Sequence, residues 1–369
     1  MKIMVFNVAA ESSGALSVLN DFYQEVKTAE NLSVTWYFIV SKPTHFADTK
    51  NCKILRFPWV KKSWFHRLFF DYLMAPRLVK QYKVNRVFSL QNVIVPFVKV
   101  PRIVYVHNAL PFAEYRYKFR ENRLLWVYQN IIKKTIVSSI KKADMVIAQT
   151  HWMKKTFVEK VGVRPEKIIV CPPRVHIPEV ATYGETKESN QTFFYPATGL
   201  NFKNHRVILT ASRQLVEQGF TDFKVILTLD TGESDYVAEL YDEVKRYNLP
   251  IIFVGKLKRE EVFVQYAKAV LLFPSFIESY PLPLIEARHL EAPVIAADTP
   301  FAHEVLAGYQ KVIFFPTFEP SELAEILKRF AEGRVACMVD ENARNATSNI
   351  KLDTETESNT ESLLDVVMR

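Results

Sequence analysis

The sequence has few cysteines and no long apolar run, and both absences limit what the protein can be. No stretch approaches the roughly 20 apolar residues of a membrane-spanning helix, and the first residues, MKIMVFNVAAE, become acidic too early for a signal peptide. The three cysteines, Cys52, Cys171 and Cys337, are odd in number and far apart, so they fit neither a disulfide framework nor a Cys-x-x-Cys metal site. We therefore expect a cytoplasmic protein with buried thiols.

Acidic residues are scarce in the first half of the chain. Residues 1–175 hold 29 Lys and Arg but only 11 Asp and Glu, a net charge of +18. Residues 176–369 hold 19 Lys and Arg and 29 Asp and Glu, a net charge of −10. Opposite charges on the two halves of a 369-residue chain predict two domains with different partners. The basic half would attract nucleic acid, anionic lipid or a phosphorylated substrate.

Short β-branched and aromatic runs alternate with helical patterns along both halves of the chain. This alternation is typical of βαβ units and predicts an α/β protein with two doubly wound, Rossmann-like domains facing across a cleft. In the first half the predicted strands are 3–8, 33–40, 53–57, 86–90, 102–107, 144–148 and 168–171, with long helices over 63–82 and 121–142. In the second half they are 192–196, 223–229, 250–254, 269–273, 293–297 and 311–315.

The polar, proline-containing stretch 172–191 has neither helical nor strand periodicity, and it predicts the connection between the domains. We therefore expect an N-terminal domain over 1–173 and a C-terminal domain over 174–349. The last segment, 350–369, becomes apolar near its end and is expected to pack back on the first domain.

Open α/β sheets bind ligands at the carboxyl ends of their strands, so the candidate binding residues are those in the loops that follow strands. Glycine is scarce, at 9 residues, and Gly14 opens a helix where backbone N–H groups can hold a phosphate; equally, the preceding serines cap that helix. His107 ends a strand, although a lone histidine is as often structural. Lys203 precedes a helix and can reach a diphosphate, the alternative being a solvated lysine.

A proline-framed loop, PSFIESYPLPLIEA, follows the apolar run 269–273. Pro281 and Pro283 prevent a helix through Glu278 but are tolerated near a helix start, so Glu278 lies in the loop and Glu286 on the helix. A loop carboxylate beside a helix N-terminus can accept hydrogen bonds from hydroxyl groups, which suits a polyhydroxylated ligand. The alternative is that both acids only stabilise the helix dipole.

Together these segments resemble the GT-B glycosyltransferases of the retaining, family-4-like type. The resemblance is strongest over 190–332 and looser over 1–173. It rests on the E-x7-E element Glu278…Glu286, the segments 254–261 and 266–269, the Lys203-Asn204-His205 segment and the strand-end His107.

The resemblance implies roles for individual residues. Glu278 would contact the transferred sugar and His107 would support the reaction centre, so these two are the catalytic candidates. Lys203 would bind the donor diphosphate and Glu286 the ribose. The other implied donor-binding residues are Gly14, Asn204, Gly255, Lys256, Leu257, Ser279, Tyr280 and Leu282.

Two further absences bear on the chemistry at the diphosphate. No Asp-x-Asp motif and no His/Cys cluster lies in a suitable loop, so we expect no metal and no other cofactor. The arginine that the family commonly carries a few residues before the lysine is missing from 196–202, which leaves open what assists Lys203.

The expected function is transfer of a sugar from a nucleotide-diphosphate sugar to a glycan or lipid-diphosphate-linked acceptor, with retention of configuration, in bacterial surface polysaccharide synthesis. The alternatives are a related nucleotide-sugar enzyme, either an epimerase or a phosphorylase, and a nucleic-acid-binding protein. Nucleic acid is not an expected partner, because no RNP, zinc-finger or helix-turn-helix signature is present.

Residues 51–142 hold 19 Lys and Arg, only 3 Asp and Glu, and many interleaved aromatic residues. This pattern suits peripheral binding to an anionic membrane surface. The alternative is that Trp64, Leu68 and Tyr72 form the buried stripe of an amphipathic helix.

Overall fold

The computed structural model describes residues 1–9, 13–29, 33–42, 46–334 and 361–369, with the side chains of residues 13 and 14 excepted. The described residues form two compact units. The first comprises 1–174 together with 361–369, and the second comprises 175–334.

A seven-stranded parallel sheet forms the centre of the first unit, in the order β3-β2-β1-β4-β5-β6-β7. Its strands are β1 Lys2–Asn7, β2 Thr35–Val40, β3 Cys52–Arg56, β4 Arg86–Ser89, β5 Arg102–Val106, β6 Met145–Ala148 and β7 Ile168–Val170. Most of their residues are buried, as expected of parallel strands covered on both faces.

The helices of the first unit include two that are interrupted by π-helical turns. The helices are α1 Ser13–Thr28, α2 Trp64–Phe69, α3 Ala75–Gln81, α4 Arg123–Val127, α5 Lys133–Lys142 and α6 His151–Thr156. Phe70–Met74 joins α2 to α3, and Tyr128–Ile132 joins α4 to α5. Each of the long helices predicted over 63–82 and 121–142 is therefore a pair of helices joined by a wider turn.

The helices cover both faces of the first sheet. On one face, Val5 and Phe38 pack with Phe22 of α1 and with Val367 of the C-terminal helix, Leu363–Met368. On the other, Phe6 of β1 packs with α3 and the turn before it, and Val104 of β5 packs with α5. The C-terminal helix therefore belongs to the core of the first unit.

A six-stranded parallel sheet forms the second unit, in the order β10-β9-β8-β11-β12-β13. Its strands are β8 Thr192–Tyr195, β9 Lys224–Leu227, β10 Ile251–Phe253, β11 Val270–Phe273, β12 Val294–Ala297 and β13 Val312–Phe315. Its helices are α7 Lys187–Asn190, α8 His205–Glu217, α9 Asp235–Arg246, α10 Arg259–Tyr266, α11 Leu282–His289, α12 Pro300–Val305 and α13 Pro320–Ala331. The α/β class predicted from the alternation is confirmed in both units.

Two of the three cysteines lie in the described part of the chain, and both are buried free thiols, as predicted. Burial raises the pKa of the Cys171 thiol to about 12. Cys337 lies outside the described residues. Across the described ranges, no helix combines the length and the hydropathy that crossing a membrane requires.

Gly199 is placed where no larger residue fits. A Cβ atom there would overlap Val237 Cγ2, on a fully buried side chain of α9. We expect Gly199→Ala to lower the free energy of unfolding of the second unit by about 1–3 kcal/mol, the usual effect of overpacking. Urea unfolding measures this change. Gly232→Ala is the control, because its nearest contact would be an ordinary 3.5 Å, and an equal loss in both variants would contradict the prediction.

Candidate active site

The second unit brings Lys203 and Glu278 together. Lys203 ends a short turn after β8, and Glu278 lies in the loop after β11. These two strands are neighbours and parallel, so their carboxyl ends meet at one edge of the sheet. Lys203 Nζ lies 2.5 Å from Glu278 Oε1, and the two side chains are only 19% and 15% exposed. The result is an ion pair largely shielded from solvent.

Residues that the sequence analysis missed hold this pair in place. Ser275 Oγ donates a hydrogen bond to Glu278 Oε1 at 2.7 Å, and the Tyr195 hydroxyl donates to the Lys203 carbonyl at 3.0 Å. Burial raises the pKa of Tyr195 well above its ordinary value, so this hydroxyl stays protonated. Both residues stand at the carboxyl end of a strand, and that position was the signal available in the sequence.

Asn204 connects three loops at this edge of the sheet. Its backbone adopts the left-handed conformation, with φ 57°, which asparagine tolerates better than most residues. Its Nδ2 donates to the Thr317 carbonyl at 2.9 Å and the Pro274 carbonyl at 3.4 Å. The side chain predicted to bind the donor thus binds the protein backbone through its amide nitrogen.

His205, the next residue, is fully buried at the start of α8. Its ring lies 5.0 Å from the Tyr195 ring, and neither ring nitrogen has a hydrogen-bond partner among the described residues. Burial, with a smaller contribution from the Lys203 charge, lowers the pKa of His205 to about 3. The imidazole is therefore neutral at physiological pH.

Glu286 is buried on α11 and is held by two residues of α10. Arg259 Nη2 lies 2.8 Å from Glu286 Oε1, and the Tyr266 hydroxyl donates to Oε2 at 3.0 Å. Arg259 also donates to the His176 carbonyl at 2.9 Å and lies over the Phe263 ring at 5.0 Å. Both oxygens of the carboxylate predicted to bind ribose are thus positioned by neighbours that the sequence analysis did not identify.

The other predicted donor-binding residues of the second unit lie in two loops. Gly255 follows β10 with φ 70°, a conformation that favours glycine, and Lys256 after it is exposed whereas Leu257 is half-buried. Ser279 and Tyr280 lie between Glu278 and α11, and Leu282 begins that helix; all three are half-buried.

His107 lies in the first unit, directly after β5. Its backbone N–H donates to Asn92 Oδ1 at 2.8 Å, and Asn92 Nδ2 lies 3.2 Å from His107 Nε2. Because the amide oxygen of Asn92 accepts the backbone hydrogen bond, its amide nitrogen is the group that faces Nε2. An amide nitrogen can only donate, so Nε2 accepts and the imidazole proton is on Nδ1. Burial lowers the pKa of His107 to about 4, so the ring is neutral near pH 7.

Gly14, the remaining predicted residue of the first unit, lies in the first turn of α1. Its surroundings lie outside the described residues.

Arg259 is expected to be needed for the stability of the second unit, because Glu286 is only 5% exposed and would lose its counter-charge in Arg259→Ala. We expect a loss of about 1–3 kcal/mol in the free energy of unfolding, the cost of leaving a buried acceptor unsatisfied. Urea unfolding tests this. The control, Arg329→Ala, removes an exposed i,i+4 pair with Glu325 and should cost about 0.5 kcal/mol or less. Equal effects of the two variants would contradict the prediction.

Each of the two units is matched by the model of a known protein family. A family described as Glycosyltransferase Family 4 matches residues 30–177, and one described as Glycosyl transferases group 1 matches residues 181–351. The O-antigen chain mannosyltransferase of Salmonella typhimurium is 24% identical over 275 residues, which are 74% of this chain and 71% of that protein.

Solved structures share the fold. Sucrose-phosphate synthase from Thermosynechococcus elongatus superposes with a TM-score of 0.69 at 16% identity, covering 94% of each chain. Anabaena HepE in complex with UDP-glucose gives a TM-score of 0.63 at 17% identity, again over 94% of each chain. The two family matches span nearly all of residues 30–351, and with this fold they show that the chain belongs to the GT-B glycosyltransferases of the family-4-like type, hexosyl-transferring enzymes.

Proposed function

We propose that this glycosyltransferase moves a sugar from a nucleotide-diphosphate sugar to a glycan or lipid-diphosphate-linked acceptor at an anionic membrane surface, with retention of anomeric configuration, in bacterial surface polysaccharide synthesis. The observation that carries the proposal is the shielded pair of Lys203 and Glu278 at the carboxyl edge of the second sheet. A cation can pair with the diphosphate of such a donor, and a carboxylate can accept hydrogen bonds from its sugar hydroxyls.

Lys203 would stabilise the departing diphosphate. Cleavage of the anomeric C–O bond leaves negative charge on the phosphate oxygens, and a positioned ammonium stabilises that charge most strongly where water is excluded. Bound donor would draw the lysine from Glu278 to the phosphates. The N-terminal end of α11, eight residues long, follows in the same loop and adds its partial positive charge.

Glu278 would then accept hydrogen bonds from the sugar hydroxyls, still oriented by Ser275. Glu286, fixed by Arg259 and Tyr266, is assigned to the ribose. His107 is assigned to support the reaction centre, and because burial keeps its ring neutral it would supply no positive charge there. We propose that these groups act without a metal ion.

Named relatives support the donor class and the biological setting. The Salmonella typhimurium relative is an O-antigen chain mannosyltransferase, and Anabaena HepE was solved with UDP-glucose. Another structure of this fold, with a TM-score of 0.61 at 15% identity, is a lipopolysaccharide outer core galactosyltransferase.

The direct test incubates the purified protein with radiolabelled UDP- and GDP-sugars, with and without a bacterial membrane extract. Acceptor-dependent transfer that persists in EDTA, with the donor's anomeric configuration in the product by NMR, is the expected result. Isomerisation of the donor without acceptor would indicate an epimerase. A strict need for inorganic phosphate would indicate a phosphorylase.

A further inference from the structure

The large apolar side chains exposed in the described part of the first unit, apart from Met1, fall into two groups. The α2 cluster comprises Trp64, Phe65, Leu68, Phe69, Tyr72, Leu73 and Phe97. The α4 cluster comprises Tyr115, Phe119, Leu124 and Ile131. Together they contain eleven of the eighteen exposed large hydrophobic side chains in the described part of the chain, so the exposure is concentrated rather than scattered.

Helix α2 contributes nothing to the core. None of its six residues is buried, and Trp64 and Phe65 are 62% and 83% exposed. The alternative interpretation, in which Trp64, Leu68 and Tyr72 form a buried stripe, is therefore wrong, because all three side chains are exposed. The adjoining turn and α3 supply the buried residues, among them Phe70 and Leu78.

Both clusters belong to the same face of the first sheet. The segment that follows α2 packs on Phe6, and α5, which follows α4, packs on Val104. Phe6 and Val104 are both paired in register with Ser89, so their side chains point to one face.

The clusters also lie toward the same end of that face. Each helical segment connects two parallel strands, so it runs back along the sheet and begins near the strands' carboxyl ends. The exposed residues at 64–73 lie in the first three turns of the segment 64–81, and Leu124 and Ile131 lie in the first three turns of the segment 123–142. Tyr115 and Phe119 lie in the loop between β5 and α4. His107 follows β5 at this same end.

Exposed cations accompany both clusters in sequence, whereas acids are rare. The exposed lysines and arginines next to the apolar residues are Lys61, Lys62, Lys99, Arg116, Lys118, Arg120 and Arg123. Only 3 Asp and Glu occur in all of residues 51–142. An apolar, aromatic surface among cations complements an anionic lipid bilayer, where aromatic rings enter the interface and cations meet the headgroups.

We propose that the α2 and α4 clusters form one membrane-docking face specific for anionic lipid. This inference deepens the proposed function by naming the surface that meets the membrane and by placing the His107 end of the first sheet toward it. Binding to lipid needs no nucleotide sugar, so its failure is distinguishable from failure of the proposed transfer reaction.

Co-sedimentation with vesicles of phosphatidylcholine alone, or mixed with phosphatidylglycerol, tests the proposal. We expect binding only to the mixed vesicles, weakening as salt is raised. Lys62→Glu/Lys99→Glu should weaken it about tenfold or more, since each cation near such a surface contributes about fivefold. Phe65→Ser/Leu68→Ser should weaken it similarly while leaving the melting temperature unchanged, because α2 contributes no buried residue.

Ile252→Ser/Val264→Ser is the matched control, since these side chains are exposed in the second unit, at 49% and 41%. It should bind vesicles as the parent protein does. Equal binding to neutral and mixed vesicles, or unchanged binding of both test variants, would overturn the proposal. So would light scattering that shows a dimer which Phe65→Ser/Leu68→Ser dissociates, because a second copy of the chain would then cover this face.

Discussion

Lys203→Ala is expected to lower kcat/KM for the nucleotide-sugar donor by about 10²–10³-fold, the usual loss when one group that stabilises developing charge is removed. The lysine is largely shielded and paired with a carboxylate at 2.5 Å, so it is already held at the site and only has to turn from Glu278 to the phosphates when donor binds. Calorimetry should also show weaker binding of UDP or GDP and unchanged binding of the corresponding nucleoside, since only the diphosphate would contact Lys203.

The Lys203 variant leaves Glu278 without its counter-charge, so its folding must be measured separately. Lys203→Met/Glu278→Gln removes both charges together and should restore stability without restoring turnover. Lys224→Ala is the matched control, because that lysine forms only a surface pair with Glu188 at 3.0 Å. If Lys203→Ala lost affinity for the nucleoside and the nucleoside diphosphate equally, the diphosphate role would be wrong.

The positions of the strands were predictable because parallel strands that are buried on both faces consist of short apolar runs. Strand β8 was predicted at 192–196 and spans Thr192–Tyr195, and β11 was predicted at 269–273 and spans Val270–Phe273. The π-helical turns at Phe70–Met74 and Tyr128–Ile132 were not predicted. One additional residue in a turn barely changes the spacing of apolar residues, so helical periodicity does not reveal it.

The sequence predicted that the candidate site residues follow strands, but it did not predict which of them come into contact. Lys203 and Glu278 were each predicted to follow a strand. They are in contact only because β8 and β11 are adjacent in the sheet, and local sequence patterns do not determine the order of strands. Arg259 and Tyr266 were missed for the same reason. They lie on a neighbouring helix and are recognisable as partners of Glu286 only when α10 and α11 are packed together.

Acid is expected to destabilise the second unit through His205. The folded-state pKa of this residue is about 3, whereas its ordinary value is 6.5, so between these values the unfolded chain binds a proton that the folded chain does not. The stabilisation is complete above pH 6.5 and is lost as the pH falls toward 3. At about pH 5 the loss should be about 2 kcal/mol, or roughly thirtyfold in the ratio of folded to unfolded protein.

Urea unfolding at neutral pH and at about pH 5 measures the loss, and His205→Phe is the informative variant. It removes the titrating group and two buried nitrogens that lack hydrogen-bond partners among the described residues, so stability at neutral pH should hold or rise. The stability lost on acidification should shrink by about 2 kcal/mol. His289→Gln is the matched control, because it replaces an exposed histidine of the same unit. If His205→Phe kept the parent's full acid sensitivity, the destabilisation would have to come from other groups, because a phenyl ring takes up no proton.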